Sequence, residues 1–236
     1  MEIAPGLSKA FRLVSEGRLP DLKQKLAAHF ARGLQSREVW IGLRRDLTRP
    51  FPAPNAKIPL AIREATPEDG AILFPSDLSG QAPADRAEVL WRRQVFAAGV
   101  RTCYVAVDAR NGRPCYCQWL MTREQNDEIR SISPFPPLEA GEALLENAYT
   151  PPEYRGFGIM SAAMALIAER GSERDARAVL TYVREDNVAS LKGCQRAGFA
   201  SYSKLENRWY AFGLVKEIDH AFLPDSFRLP HERLAA

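Results

Sequence analysis

Apolar positions recur at two different periods along this chain, and the switches between them lay out its elements. Leu7, Ala10, Phe11 and Val14 fall at helical spacing and stop at Gly17, and Leu22, Leu26 and Phe30 form a second stripe ending near Gly33. Trp40, Ile41 and Leu43 follow, and Arg49-Pro-Phe-Pro-Ala-Pro-Asn55 is a stiff, proline-rich connection. Beyond it the pattern turns α/β. A strand is predicted over 58–63, a helix over 84–98, and two strands over 102–108 and 114–122 around the turn signal Asn111-Gly112. A polar, proline-bearing stretch over 123–141 precedes a mostly apolar strand over 143–149. Ile159, Met160, Ala163, Met164 and Ile167 then share one helical face up to Gly171. A β-rich run follows over 178–183, a helix from Asn187 to Gly198, and a final hairpin over 199–205 and 208–214 around Glu206-Asn207.

Composition narrows this picture. With 236 residues and 46% hydrophobic positions, the chain suffices for one large domain, or for one domain plus an appendage, and the shift in pattern puts a boundary near residue 56. The appendage, 1–56, has three open uses: packing on the main domain, a homodimer contact, or a flap over a substrate cleft. The net charge of +3 comes from cations scattered among acids, so no nucleic-acid surface is expected. Cys115-x-Cys117 has neither redox nor zinc spacing, and with Cys103 and Cys194 it reads as reduced structural thiols in a cytoplasmic protein. No stretch is long and apolar enough to span a bilayer, and Met-Glu-Ile-Ala-Pro-Gly does not start a signal peptide.

The strongest chemical signal lies in Pro152–Met160, Pro-Glu-Tyr-Arg-Gly-Phe-Gly-Ile-Met, between the strand at 143–149 and the helix after it. Strand, Gly-rich turn, helix is an order that aims backbone N–H groups and the positive helix end at an anion. Gly156 and Gly158 lack a Cβ, so a phosphate can approach the main chain, and Arg155 offers a cation. An ordinary strand-to-helix turn remains an equal reading of these residues alone. The loop is not a P-loop, because no Lys follows, and not the dinucleotide fingerprint, because the third Gly is missing.

About thirty residues on, Asn187 stands as an N-cap with Ser190 at the third helical position, and Gly198-Phe199 closes the same helix. Arg155-Gly-Phe-Gly158-Ile-Met160 together with Asn187…Gly198-Phe199 resembles the two acyl-CoA motifs of the GCN5-related N-acetyltransferase (GNAT) superfamily. The resemblance covers roughly residues 58 to 215. It departs at Met160, where the family has a small residue, and at Cys194, where much of the family carries a Tyr that protonates the leaving thiolate.

The resemblance implies a central mixed, mostly antiparallel sheet, splayed at a notch for acyl-CoA and flanked by helices. Residues 57–236 would form this acyltransferase domain, with 1–56 as a helical extension. It also implies acetyl-CoA or another acyl-CoA as co-substrate, no metal, and an amine acceptor that attacks the thioester directly. The implied cofactor contacts are Tyr149, Thr150, Arg155, Gly156, Phe157, Gly158, Ile159, Met160, Asn187 and Ser190. Glu146, on the strand beside the notch, is the leading general base, with Glu185 and Asp186 behind it and a surface-paired strand carboxylate as the competing reading. Cys194 is expected to be a small core residue rather than an acid or a nucleophile. None of the three histidines lies near a motif, which argues against a triad. A CoA-binding sensor without catalysis and a protein-interaction module on the same scaffold stay open as alternatives.

Overall fold

A computed structural model describes residues 33–80, 82–97, 102–132 and 135–224, together with 2–3, 227 and 229. The two apolar stripes expected within 4–32 lie outside the described residues. The strands, in chain order, are β1 (Glu2–Ile3), β2 (Gln35–Asp46), β3 (Leu60–Glu64), β4 (Cys103–Asp108), β5 (Arg113–Thr122), β6 (Glu142–Tyr149), β7 (Ala178–Arg184), β8 (Ala200–Tyr210) and β9 (Val215–Phe222). The helices are α1 (Pro67–Leu73), α2 (Pro83–Ala97), α3 (Asn126–Ile132), α4 (Ile159–Glu169) and α5 (Val188–Arg196). The chain divides into two compact units, one of 43–183 with 187–201 and the other of 1–42, 184–186 and 202–236.

The larger unit is built on a mixed sheet in the order β7-β6-β5-β4-β3. β3, β4, β5 and β6 pair antiparallel in sequence, and β6 pairs with β7 parallel. All six residues of β4 are buried, as are eight of the ten in β5. Strands covered on both faces carry continuous apolar runs rather than alternation, which is why these two read clearly in the sequence. Their hairpin closes where Asn111-Gly112 predicts it. Gly112 takes φ +74°, and the Asp108 carboxylate gathers Arg110 and Asn111 across the turn. α1 and α4 both pack on β5, and α4 and α5 pack on each other. Eight of the eleven α4 residues are buried, so this helix is apolar nearly all round and sits deep in the unit.

The stretch over 123–141 is not a plain loop. A single 3₁₀ turn at Arg123–Gln125 leads into α3, and the Asn126 side chain clamps both backbone groups of Leu138, at 2.8 and 3.1 Å. Phe135 then stacks on Tyr182 of β7, with centroids 4.3 Å apart.

In the smaller unit β8 and β9 pair antiparallel, and β1 pairs with the start of β9. Here the hairpin placed around Glu206-Asn207 is overturned. β8 runs unbroken through both residues, pairing Glu206 with Asp219 and Asn207 with Ile218. The turn lies at Ala211–Gly213, where three successive residues have positive φ. It is pinned by Ala211 and Phe212 donating to the carbonyls of Leu34 and Gly33. Glu and Asn side by side suggest a turn because both are usually solvated. In this strand the Glu206 carboxylate is instead held by Arg37, Lys204 and Arg208. That neutralisation makes a buried strand position tolerable for it.

Candidate functional site

β6 and β7 begin as a parallel pair, with Glu142 opposite Ala178, Ala143 opposite Val179 and Leu144 opposite Leu180. Their pairing ends there, and the rest of each strand diverges. On its other side β6 stays paired with β5, but the register shifts between Trp119↔Glu146 and Cys117↔Tyr149, so β6 carries an extra residue. Asn147 absorbs it at φ +59°, a left-handed conformation that Asn tolerates better than most residues. The bulge thus coincides with the end of the parallel pairing, and it leaves strand backbone facing an open gap.

The gap leads to the turn before α4. Pro152–Tyr154 makes a short 3₁₀ turn, and Gly156 and Gly158 follow at φ +80° and +74°. Gly158 is the N-cap of α4, and its carbonyl accepts from Ala162. The N–H groups of Ile159, Met160 and Ser161 start the helix without partners in the turn before them, which leaves them for an anion. The proline-rich connection forms one wall of this turn. Lys57 donates its N–H to the Phe157 carbonyl at 2.8 Å, and a Cβ on Gly158 would stand 3.5 Å from the Asn55 carbonyl.

α5 supplies the facing wall. The Asn187 side chain accepts from the Ser190 N–H at 3.1 Å, capping the helix as expected from sequence. Gly198 ends it at φ +89°, and a Cβ there would sit 2.8 Å from the Phe51 ring, so only Gly fits. Met160 packs against Gly193: a Cβ on that glycine would lie 3.0 Å from the Met160 sulfur. The bulk that replaces the family's small residue is therefore accommodated by a glycine on the next helix.

Together these elements enclose an open cavity of about 860 Å³. Tyr149, Thr150, Arg155 through Met160, Asn187 and Ser190 all border it, so the ten residues expected to hold the acyl carrier are brought together. Arg155 is not idle in this state. It pairs with Asp85 of α2 at 2.8 Å, and its Nε donates to the Thr150 carbonyl.

Glu146 sits at the edge of the bulge, half-buried. Burial pushes its carboxyl up to about 8; the N–H groups of Asn147 and Tyr182 and the Arg92 guanidinium pull it partway back. Among the described residues it makes no ion pair, unlike the competing reading of a surface-paired strand carboxylate. Cys194 is buried and its thiol is pushed up to about 12, first by burial and then by the neighbouring Glu146 carboxylate. A thiol held that high stays protonated at neutral pH, and the thiolate is the nucleophilic form. Tyr116 of β5 is fully buried, and its hydroxyl donates to the Gln118 side chain at 2.6 Å; burial first, and then Cys194, raise it well above the ordinary phenol range.

Of the two fallback bases, Asp186 is occupied. Arg184 bonds its carboxylate at 2.6 and 3.0 Å and holds it below the usual range. Glu185 borders a separate cleft of about 310 Å³ in the smaller unit, with Arg37, Glu38 and Arg184.

Sequence reasoning missed Arg92. From α2 it donates to the Ala148 carbonyl in the bulge and lies over the Tyr149 ring at 5.2 Å. Its signal was an Arg on an amphipathic helix, which is indistinguishable from a solvated face. Among the described residues no group of three or more His, Cys, Asp or Glu is placed to hold a metal ion, and no helix is long and apolar enough to cross a membrane.

Comparison with known proteins agrees with this geometry. Residues 88–199 match the model of the acetyltransferase (GNAT) family. No curated protein sequence matches the chain. Among solved structures, a GCN5-related N-acetyltransferase from Sphaerobacter thermophilus is similar with a TM-score of 0.50 and 16% identity, over 80% of this chain and 56% of that one. A GCN5-related glucosamine N-acetyltransferase region of a fungal multi-domain GH3 β-N-acetylglucosaminidase gives 0.51 and 17%, over 84% of this chain and 23% of that one. The chain thus spans little more than half of the first and under a quarter of the second, and at such identities the likeness is one of fold. That fold supports acyl transfer in general, and the parted strands and the glycine turn sit within the matched residues. By its motifs and the match over residues 88–199, this chain is similar to the acetyltransferase (GNAT) family, and its sheet has the fold of the GCN5-related N-acetyltransferases among the solved structures.

Proposed function

We propose that this protein transfers an acetyl or similar acyl group from acyl-CoA to an amine. The observation that carries the reading is the gap opened between β6 and β7, with a left-handed glycine turn at one end and a half-buried carboxyl at the other. A pyrophosphate is to be held by the backbone N–H groups of the turn and the start of α4. Strand backbone at the bulge is to align the thioester, so that positioning does much of the catalytic work.

The amine nitrogen attacks the thioester carbonyl, its proton leaves to a base, the C–S bond breaks, and the thiolate takes up a proton. No enzyme nucleophile is needed, and the protonated Cys194 fits that economy. Glu146 is the proposed base. With its carboxyl near 8 it is mostly protonated at neutral pH and becomes competent as the pH rises through that value. Four buried thiols without a disulfide suit a reducing, cytoplasmic setting.

The test is calorimetry with CoA, followed by acyl-CoA turnover over a panel of primary amines. Gly158→Val places a branched side chain at φ +74° over the N–H groups of the turn, and it should weaken CoA binding at least a hundredfold with a native circular dichroism spectrum. Unchanged affinity in that variant would remove the turn from the site. Tight CoA binding without turnover on any amine would leave a sensor in place of the enzyme.

A further inference from the structure

Among the described residues, the outer edge of β9 is bare from Glu217 to Phe222. β1 meets that edge at Val215 and Lys216, and β8 lies on the opposite side. Leu223 donates its N–H inward to the Tyr202 carbonyl of β8 at 2.8 Å. By the alternation of antiparallel ladders, Ile218, His220 and Phe222 therefore aim their N–H and carbonyl groups outward. All of 217–222 is exposed. On the face these three share, Ile218 is 52% and Phe222 77% exposed, and the His220 ring lies 5.5 Å from that of Phe222. Natural sheets blunt such edges with Pro, Lys or a bulge. Glu217-Ile-Asp-His-Ala-Phe222 contains neither Pro nor Lys, and its register with β8 is unbroken.

The residues of this edge complement a second copy of themselves. In two-fold antiparallel pairing, outward-bonding residues must face outward-bonding residues, so the axis passes through a residue and not between two. An axis at Asp219 sets that carboxylate opposite its own copy, which repels. An axis at Ala221 sets Ile218 opposite Pro224, which has no N–H to give. An axis at His220 avoids both: Ile218 faces Phe222 twice, Asp219 faces Ala221, and Glu217 faces Leu223. His220 is also the midpoint of the free stretch, which β1 bounds at Lys216 and Pro224 bounds at the other end. We propose that this protein forms a two-fold dimer through β9, with His220 opposite His220 of the second copy. About six inter-chain N–H···O bonds join the strands, and two Ile–Phe contacts cover the exposed apolar face. The dimer rests on β9 alone and is independent of the acyl-CoA reading.

The experiment is sedimentation equilibrium of the full chain from about 1 to 100 µM, where the wild type should be dimeric. His220→Pro removes an outward N–H and leaves the ladder to β8 in place, and the double variant Ile218→Lys, Phe222→Lys puts like charges on the edge. Each should raise the dimer dissociation constant at least about tenfold with a native circular dichroism spectrum. Cysteine cross-linking tests the register without weakening the strand. His220→Cys should form an inter-chain disulfide under mild oxidation, because residue 220 meets its own copy at about 5.5 Å between Cα atoms. Ile218→Cys should not, because the two residues 218 then stand about 14 Å apart. The four native cysteines are buried and should stay out of the reaction. A wild type that remains monomeric at about 100 µM overturns the proposal. So does a dimer that both edge variants leave intact, or an Ile218→Cys protein that cross-links as readily as His220→Cys. If a variant loses its native spectrum, the cross-linking pair decides, and failure of His220→Cys to cross-link removes this register and the dimer built on it.

Discussion

Glu146 and Glu206 are both strand glutamates, and burial works against the charge of each, yet their neighbourhoods drive them in opposite directions. Glu206 has a side chain only 7% exposed, but Arg37, Lys204 and Arg208 bond it at 2.6–3.0 Å and hold its carboxyl down at about 2. Glu146 has backbone N–H groups and one more remote guanidinium, which do not offset its desolvation, and it rises to about 8. The first carboxylate is ionised throughout the working range and serves the fold. The second changes charge within that range, which suits it to moving protons. Carboxylates of the same type are thus driven to opposite ends of the titration range by how completely cations surround them.

The contrast is tested most severely by turnover. Glu146→Gln should lower kcat/KM by about 10²–10⁴-fold above pH 8, with little change below pH 6, where the wild-type carboxyl is already protonated. The rising limb of the wild-type profile near pH 8 should vanish. A variant with the wild-type profile would move the base to Glu185 or to ordered water.

Stability supplies the next measurement, with opposite signs at the two sites. The Glu146 carboxyl is raised on folding, so its folded-state advantage is full below about pH 4.5 and is lost as the pH climbs through about 8. Glu146→Gln should therefore melt about 5 °C above wild type at pH 8.5 and level with it near pH 4. The Glu206 carboxyl is depressed, so its contribution is present above about pH 4.5 and disappears as the pH falls through about 2. Glu206→Gln should cost about 1–2 kcal/mol at pH 7, a modest sum because water screens Arg37 and Arg208. The gap from wild type should close in acid, and CoA affinity should not change. Denaturant melts at pH 7 and pH 3 decide it: an equal gap at both values would mean that charge pairing is not what Glu206 contributes.

The smallest effect is expected at Cys194, which adjoins Glu146 and has no part in the proposed reaction. Cys194→Ala should cost about 1 kcal/mol for a small cavity and keep turnover within a few-fold. Mass spectrometry of the wild type after incubation with acetyl-CoA should find no acetyl group on that thiol. An acetylated Cys194 peptide, with all turnover lost in the variant, would reverse the assignment.

The two ends of the notch were not equally legible. The glycine turn and the Asn187–Gly198 helix could be read because their signals are local: positive φ at Gly156, Gly158 and Gly198, and a side-chain cap three residues from its donor. The divergence of β6 from β7 could not be read from residue pattern, since Leu144 and Leu145 look alike and only one lies in the paired stretch. It was expected only through the resemblance. β2 passed unpredicted as a strand, because its buried Arg45, bonded to the carbonyls of Ala165 and Ala197, breaks the apolar pattern. The hairpin around Glu206-Asn207 failed for a similar reason: the cations that tame Glu206 include one 169 residues away.

By itself, then, the sequence determined the elements whose causes lie within a few residues: the buried strands β4 and β5, the Asn111-Gly112 turn, and the backbone cradle before α4. Tertiary structure decided the charges. Whether a carboxylate titrates near 8 or near 2, and whether Arg155 is held by Asp85, depends on distances between side chains far apart in the chain. Coulombic and desolvation energies follow separation in space, whereas capping and turn preferences follow separation along the backbone, and only the latter is written in the order of the residues.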